Sequence, residues 1–263
     1  MIKRVKRTEQ YEVSLVIKDD NFINPPRDAQ RSTVLNRAVK EFGEDLEALH
    51  QLASEFVSGD STIVVESDRT QASLTDQQIM EDWQIPIMQA MAEAVCATGG
   101  DVLEVGFGRG VSSSMIQNCG VQSHTIIECN KSIIDKFEEW KRQQDNQNIF
   151  MVEGLWQDTI DSLGTYDGIF FHTYPLNDEE YMKYVHGKVT FAEHFFSTAA
   201  AHLNPDGAFT YFSNEIDSLS RGHQRALFKY FSNINISKVE LDLPHDVVDT
   251  WWSNSMVVIK ASK

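Results

Sequence analysis

Three glycines, Gly106, Gly108 and Gly110, follow an apolar run, Val102, Leu103 and Val105, that carries a single acid, Glu104. The run fits a buried parallel strand, and residues 112–119 behind it suit a helix. Glycines at a strand-to-helix turn let the backbone close tightly and let a ligand come near without meeting a Cβ. The first amides of the helix then favour polar or anionic groups on that ligand. A second acid, Glu128, ends the apolar run Thr125-Ile126-Ile127 and follows Glu104 by 24 positions. That offset is close to the roughly 20 residues expected for a ribose-binding acid at the end of the second strand. A carboxylate there accepts from both ribose hydroxyls. A solvated strand-end acid would read the same in isolation; the glycine turn upstream favours the ribose.

Two cofactors suit such a turn. The dinucleotide fingerprint needs a glycine where Val111 stands, which argues against a nicotinamide oxidoreductase. The spacing found, Gly-x-Gly-x-Gly with an acid two residues ahead of the first glycine, resembles that of class I S-adenosylmethionine (SAM) methyltransferases. This resemblance implies SAM as the cofactor.

The elements that must position these groups follow from the rest of the chain. With 263 residues, 41% of them hydrophobic and 10% aromatic, the chain can form one large α/β domain with an N-terminal extension. We place the extension at residues 1–74 and the SAM-binding domain at residues 75–263. In the extension, residues 11–17 suggest a short strand and Asn24-Pro25-Pro26 a stop. Leu35, Val39, Phe42, Leu46, Leu49, Leu52 and Phe56 are spaced as one face of a helix, suited to a cap, a substrate contact or a homodimer. Thr75-Asp76-Gln77-Gln78 is a capping box opening a helix that Pro86 restarts or kinks and that runs to residue 98. Strands are expected at 102–105, 125–128, 149–152, 166–171, 208–212, 237–243 and 256–260. Helices are expected at 132–144, 178–203 and 218–231, with a turn at Asn204-Pro205-Asp206-Gly207. The alternation predicts a doubly wound, mostly parallel sheet of seven strands, the Rossmann-like architecture.

Charge and cysteine usage narrow the setting. With 39 acids against 23 bases the net charge is −16, which repels phosphate backbones and anionic lipid and so disfavours nucleic acid and membrane partners. Cys96, Cys119 and Cys129 have neither metal spacing nor obvious pairing. No apolar run is long enough to span a bilayer. The expectation is a soluble cytoplasmic protein that holds no metal, with a small-molecule or peptide acceptor as partner.

Several stretches together resemble the guanidinoacetate N-methyltransferase family more closely than a generic SAM-binding core. They are Met80-Glu81-Asp82-Trp83 with Pro86, the Val102–Gly108 turn, Ile126-Ile127-Glu128-Cys129-Asn130, Gly154-Leu155-Trp156, and Thr173-Tyr174-Pro175-Leu176. The resemblance implies that Gly106 and Gly108 line the methionine part of SAM, that Glu128 holds the ribose, and that Leu155, Trp156 and Gln157 flank the adenine. By its residue type alone, Trp156 also suits plain core packing. Glu104 is expected to support the turn or the SAM amino group.

The resemblance further implies that Glu81 and an acid directly before Thr-Tyr-Pro face a guanidinium. The second position is His172 here. A guanidinium is cationic and a poor nucleophile until it loses a proton, so two carboxylates match it and help remove that proton. Imidazole in place of one of them weakens the match. Neutral His172 would act as general base toward an amine or guanidino nitrogen, and protonated His172 would instead hold a carboxylate. Glu81 and His172 are therefore the catalytic candidates, with nitrogen narrowly ahead of oxygen as the methylated atom. Thr173, Tyr174, Asn214 and the pair Trp251-Trp252 are candidates to shape the acceptor pocket, the two indoles suiting core or a dimer contact equally. A non-catalytic SAM-binding module is the competing reading.

Overall fold

The computed structural model describes residues 2–5, 13–16, 69–70, 72–185, 188–243 and 253–263. Two short strands, β1 (Ile2–Val5) and β2 (Val13–Val16), pair antiparallel as a small separate sheet. The expected helix at 35–57, the stop at Asn24-Pro25-Pro26 and the Trp251-Trp252 pair lie outside the described residues.

The main sheet has seven strands: β3 (Asp101–Val105), β4 (Ser123–Glu128), β5 (Ile149–Glu153), β6 (Tyr166–Phe171), β7 (Leu203–Tyr211), β8 (Asn233–Glu240) and β9 (Ser255–Ser262). Their order is β5-β4-β3-β6-β7-β9-β8. The first five neighbours run parallel, while β9 is antiparallel to both β7 and β8. The order reverses between β3 and β6. In an open α/β sheet that switch point opens a crevice at the carboxyl ends of the strands. The central strands are mostly apolar because helices cover both faces, with Glu104 a buried exception in β3. Leu103, Val105, Ile169 and Phe171 pack into one core layer, and Val102 and Phe170 into the other, against helix α2 (Ile85–Val95).

The Thr75 capping box forms, with Thr75 and Gln78 bonding each other's backbone, but it opens a single turn, α1 (Asp76–Ile79). Met80 and Glu81 are extended, a 3₁₀ turn covers Asp82–Gln84, and α2 begins at Ile85 with Pro86 in its first turn, where a missing N–H costs nothing. Pro86 thus starts a helix, and the break falls ahead of it. Around the sheet follow α3 (Val111–Asn118), α4 (Lys131–Lys141) and the single turn α5 (Trp156–Thr159).

The single helix expected at 178–203 is instead α6 (Asp178–Tyr184), a 3₁₀ turn at Phe191–Phe195, and α7 (Phe196–His202). Thr190 is extended, and its hydroxyl donates to Phe212 O at 3.2 Å, so a long-range contact overrides helix continuity. The turn residues Asn204–Gly207 lie within β7 as an irregularity between the pairs Tyr166↔Leu203 and Gly168↔Ala208. Pro205 cannot donate to a ladder, which suits a bulge. The helix expected at 218–231 shortens to α8 (Arg221–Leu227), capped by Ser220. Among the described residues no helix is long and apolar enough to cross a membrane.

Candidate active site

Four strand ends meet in one cleft of about 980 Å³, open to solvent. Gly106 and Phe107 follow β3, Glu128 ends β4, Gly154 follows β5 and His172 follows β6, and all five line it.

The glycine turn is built for close approach. Gly106 has φ +96°, and a Cβ there would lie 2.3 Å from His172 O and 3.1 Å from Thr173 Cγ2. The turn therefore sits directly on the end of β6. It is also tied to both neighbours, since Gly106 N donates to Ile127 O at 2.9 Å and His172 N donates to Val105 O at 3.1 Å. Phe107 anchors it from below, edge-on to Phe137 and Trp140 with centroids 5.5 and 5.3 Å away.

Glu128 is buried to 7% exposure, and its carboxylate bridges two strand ends. Oε2 accepts from Phe107 N (3.0 Å) and Gly108 N (3.4 Å), and Oε1 from Cys129 N (2.8 Å) and Asn130 N (2.9 Å). Four amides hold the acid in one orientation at the cleft wall. Beside it the Cys129 thiol is pushed up to about 12 by burial, with Glu128 adding to the shift, so it stays protonated. Leu155, Trp156 and Gln157 also line the cleft. Trp156 borders the cleft and also packs edge-on against Phe195 at 4.9 Å.

Glu104 does not line the cleft. It is fully buried beneath the turn, where Ser112 Oγ and Ser113 Oγ donate to its two oxygens at 2.5 Å and His124 Nε2 lies 3.0 Å from Oε2. A SAM amino group cannot reach a carboxylate so enclosed; Glu104 instead fastens α3 to the sheet. Asn214 is likewise away from the cleft. It is exposed, with φ +57°, in the bend after β7.

His172, Thr173 and Tyr174 line the cleft together. The His172 ring is half-buried, stacked on Phe212 at 5.2 Å and 26°, and its Nε2 is buried with no hydrogen-bond partner among the described residues. Burial holds its pKa down to about 4, so the imidazole is neutral at physiological pH. Glu81 stands behind the cleft wall at 7% exposure, and Trp83 Nε1 donates to its Oε2 at 3.1 Å. Trp83 meets Phe212 edge-on at 6.5 Å. The two catalytic candidates are thus connected through a pair of aromatic rings.

Sequence reasoning missed the strap formed by residues 69–70 and 72–80, which closes one side. Arg69, Leu74, Ile79 and Met80 line the cleft, although the first two fall in the segment assigned to the extension. Asn130 holds the strap, its Nδ2 donating to Arg69 O (2.6 Å) and Ala72 O (2.9 Å) while its Oδ1 caps α4. Arg69 N donates to Leu176 O at 3.4 Å across the opening. Asn130 was detectable as the N-cap before Lys131. Its two strap contacts, about 60 residues away, carry no local signal.

Whether these groups fit SAM is tested by the turn and the acid. A cradle that any Cβ would fill, beside a fixed carboxylate at the end of the next strand, suits a nucleoside with a compact charged tail. The fold and cleft define a SAM-dependent methyltransferase, with SAM as cofactor. The profile of the guanidinoacetate N-methyltransferase family matches residues 56–242. The chain belongs to that family. Among curated relatives, protein arginine N-methyltransferase 2 of Yarrowia lipolytica is 28% identical over 166 residues, which are 59% of this chain and 32% of that one. Protein arginine N-methyltransferase 2 of Kluyveromyces lactis is 29% identical over 147 residues, 51% of this chain and 32% of that one. The match thus spans about a third of these relatives' length. Among solved structures, a precorrin-6y C5,15-methyltransferase from Geobacter metallireducens GS-15 shares the fold, with TM-score 0.50 and 13% identity over 77% of this chain and 98% of that one.

Proposed function

We propose that the chain methylates a nitrogen of a guanidino group, carried by a small polar molecule or by an arginine-containing peptide. The observation that carries this reading is the state of His172. Burial keeps its imidazole neutral, and its buried Nε2 has no partner among the described residues. An uncharged ring offers no cation to an anionic acceptor, which weighs against carboxylate methylation. It offers a lone pair that an N–H can satisfy, and leaving that atom unpaired is costly. Glu81 adds the negative charge that a guanidinium matches, and Trp83 fixes one of its oxygens. Family membership and the relatives named for arginine N-methylation support the same acceptor chemistry.

Gly106 and Gly108 accommodate the amino-acid part of SAM, Glu128 accepts from the ribose, and Leu155, Trp156 and Gln157 border the adenine. SAM bound there supplies a methyl group on a sulfonium, a charged and activated leaving group. The chain's own residues orient the acceptor: Glu81 attracts the cationic group, the neutral His172 accepts a hydrogen bond from an N–H of the reacting nitrogen, and Thr173 and Tyr174 border the acceptor's approach.

The test is an acceptor screen with SAM, read by mass spectrometry, covering guanidino, amino and carboxylate compounds and short arginine-containing peptides. A methyl group added to a guanidino nitrogen is the expected result. Methyl ester formation, or tight SAM binding without transfer to any acceptor, would overturn the reading.

A further inference from the structure

Between the second and third glycines of the turn stands Arg109, which no part of the cofactor reading uses. Its Nη1 donates to Met80 O at 2.9 Å and to Asp82 Oδ1 at 2.6 Å. These are the residues on either side of Glu81. Glu81 is extended (φ −83°, ψ 150°) between α1 and the 3₁₀ turn, where the chain has left one helix and not begun the next. Among the described residues, the two Arg109 bonds tie the neighbours of Glu81 to the glycine turn. Trp83 aims the Glu81 side chain, and Arg109 seats the main chain that carries it.

We infer that Arg109 is a positioning residue: it fastens the Glu81 segment to the glycine turn, so that the acceptor acid and the cofactor turn are set as one unit. The inference rests on the acceptor role given to Glu81 above. Arginine suits the task because a rigid, permanently charged fork can hold a carbonyl and a carboxylate together, whereas lysine offers a flexible point charge. A contribution to bulk stability explains the contact less well. Asp82 is 66% exposed, and ion pairs so open to water add little to folding.

The test compares wild type, Arg109→Met, Arg109→Lys and Glu81→Gln with guanidinoacetate and an arginine-containing peptide as acceptors. For Arg109→Met, kcat is expected to fall roughly 10- to 100-fold, the cost of a misplaced catalytic group. The affinity for S-adenosylhomocysteine, measured by calorimetry, should change little, and Arg109→Lys should recover part of the loss. Independently of turnover, the amides of Met80 and Gln84, bonded to Asp76 O at 2.9 Å and Glu81 O at 3.0 Å, should exchange hydrogen faster in ligand-free Arg109→Met than in wild type.

Unchanged exchange and kcat in Arg109→Met, with Glu81→Gln impaired, overturn this inference alone. Full activity in Glu81→Gln overturns the reading of Glu81 and this inference with it. A cofactor affinity that falls in step with kcat makes Arg109 a ligand contact and also overturns it. If wild type methylates neither acceptor, the guanidino reading fails in these probes and amide exchange alone decides whether Arg109 holds the segment.

Discussion

Replacing Gly106 by alanine tests the turn on which the cleft depends. The new Cβ would lie 2.3 Å from His172 O, against 3.4 Å for the closest ordinary contact, a shortfall of 1.1 Å (3.4 − 2.3). Neither partner can retreat freely, because His172 N is bonded to Val105 O and Gly106 N to Ile127 O. The positive φ adds about 1–2 kcal/mol for an L-residue, and forcing a methyl into a packed site costs about 1–3 kcal/mol. A total near 3 kcal/mol corresponds to a Tm lowered by roughly 6–12 °C in a domain of this size. If half of that strain is relieved by distorting the turn, restoring it on binding weakens S-adenosylhomocysteine about tenfold. Differential scanning fluorimetry and calorimetry read the two effects. Gly164→Ala is the control, since a Cβ there meets nothing within 4 Å. A Gly106→Ala protein that melts and binds like Gly164→Ala would refute the argument that the turn is sterically closed against β6.

Other consequences can be measured separately. Glu128→Gln puts an NH₂ group against backbone amides that now donate to a carboxylate; losing a bond to a charged acceptor costs about 1.5–3 kcal/mol, so S-adenosylhomocysteine affinity should fall roughly 10- to 100-fold by calorimetry. The folded protein resists protonating His172 until about pH 4, while an unfolded chain takes that proton near 6.5. Its contribution to stability is therefore complete above pH 6.5 and is lost as pH falls from 6.5 toward 4, by at most about 3 kcal/mol. Urea unfolding across that window should show a slope that His172→Asn removes, and an imidazole titrating near 6.5 by NMR would contradict it. If Glu81 and position 172 face the acceptor as proposed, His172→Asp supplies a second acid there and guanidinoacetate methylation should rise; no change would count against the charge argument.

Much of the cofactor side could be read locally. The glycine spacing, the acid at Glu128 and the cap at Thr75 each depend on residues a few positions apart, where backbone sterics leave few alternatives. The alternation of apolar runs likewise led to seven strands and a mostly parallel sheet, because buried strands must read as apolar whatever packs on them.

Tertiary packing decided what those local patterns could not. Glu104 and Glu128 are both acids at neighbouring strands, yet one is enclosed by Ser112, Ser113 and His124 and the other faces the cleft. His172 would titrate near neutrality by its residue type; Phe212, 40 positions away, helps bury the ring that is held neutral. The strap at 69–70 and 72–80, its latch at Asn130 and the grip of Arg109 around Glu81 join segments distant in sequence. Residue types and spacing alone pointed to a glycine turn with an acid at the end of the next strand. Which carboxylate faces the cleft, and which imidazole is held neutral at its wall, depend on what the folded chain lays over each group.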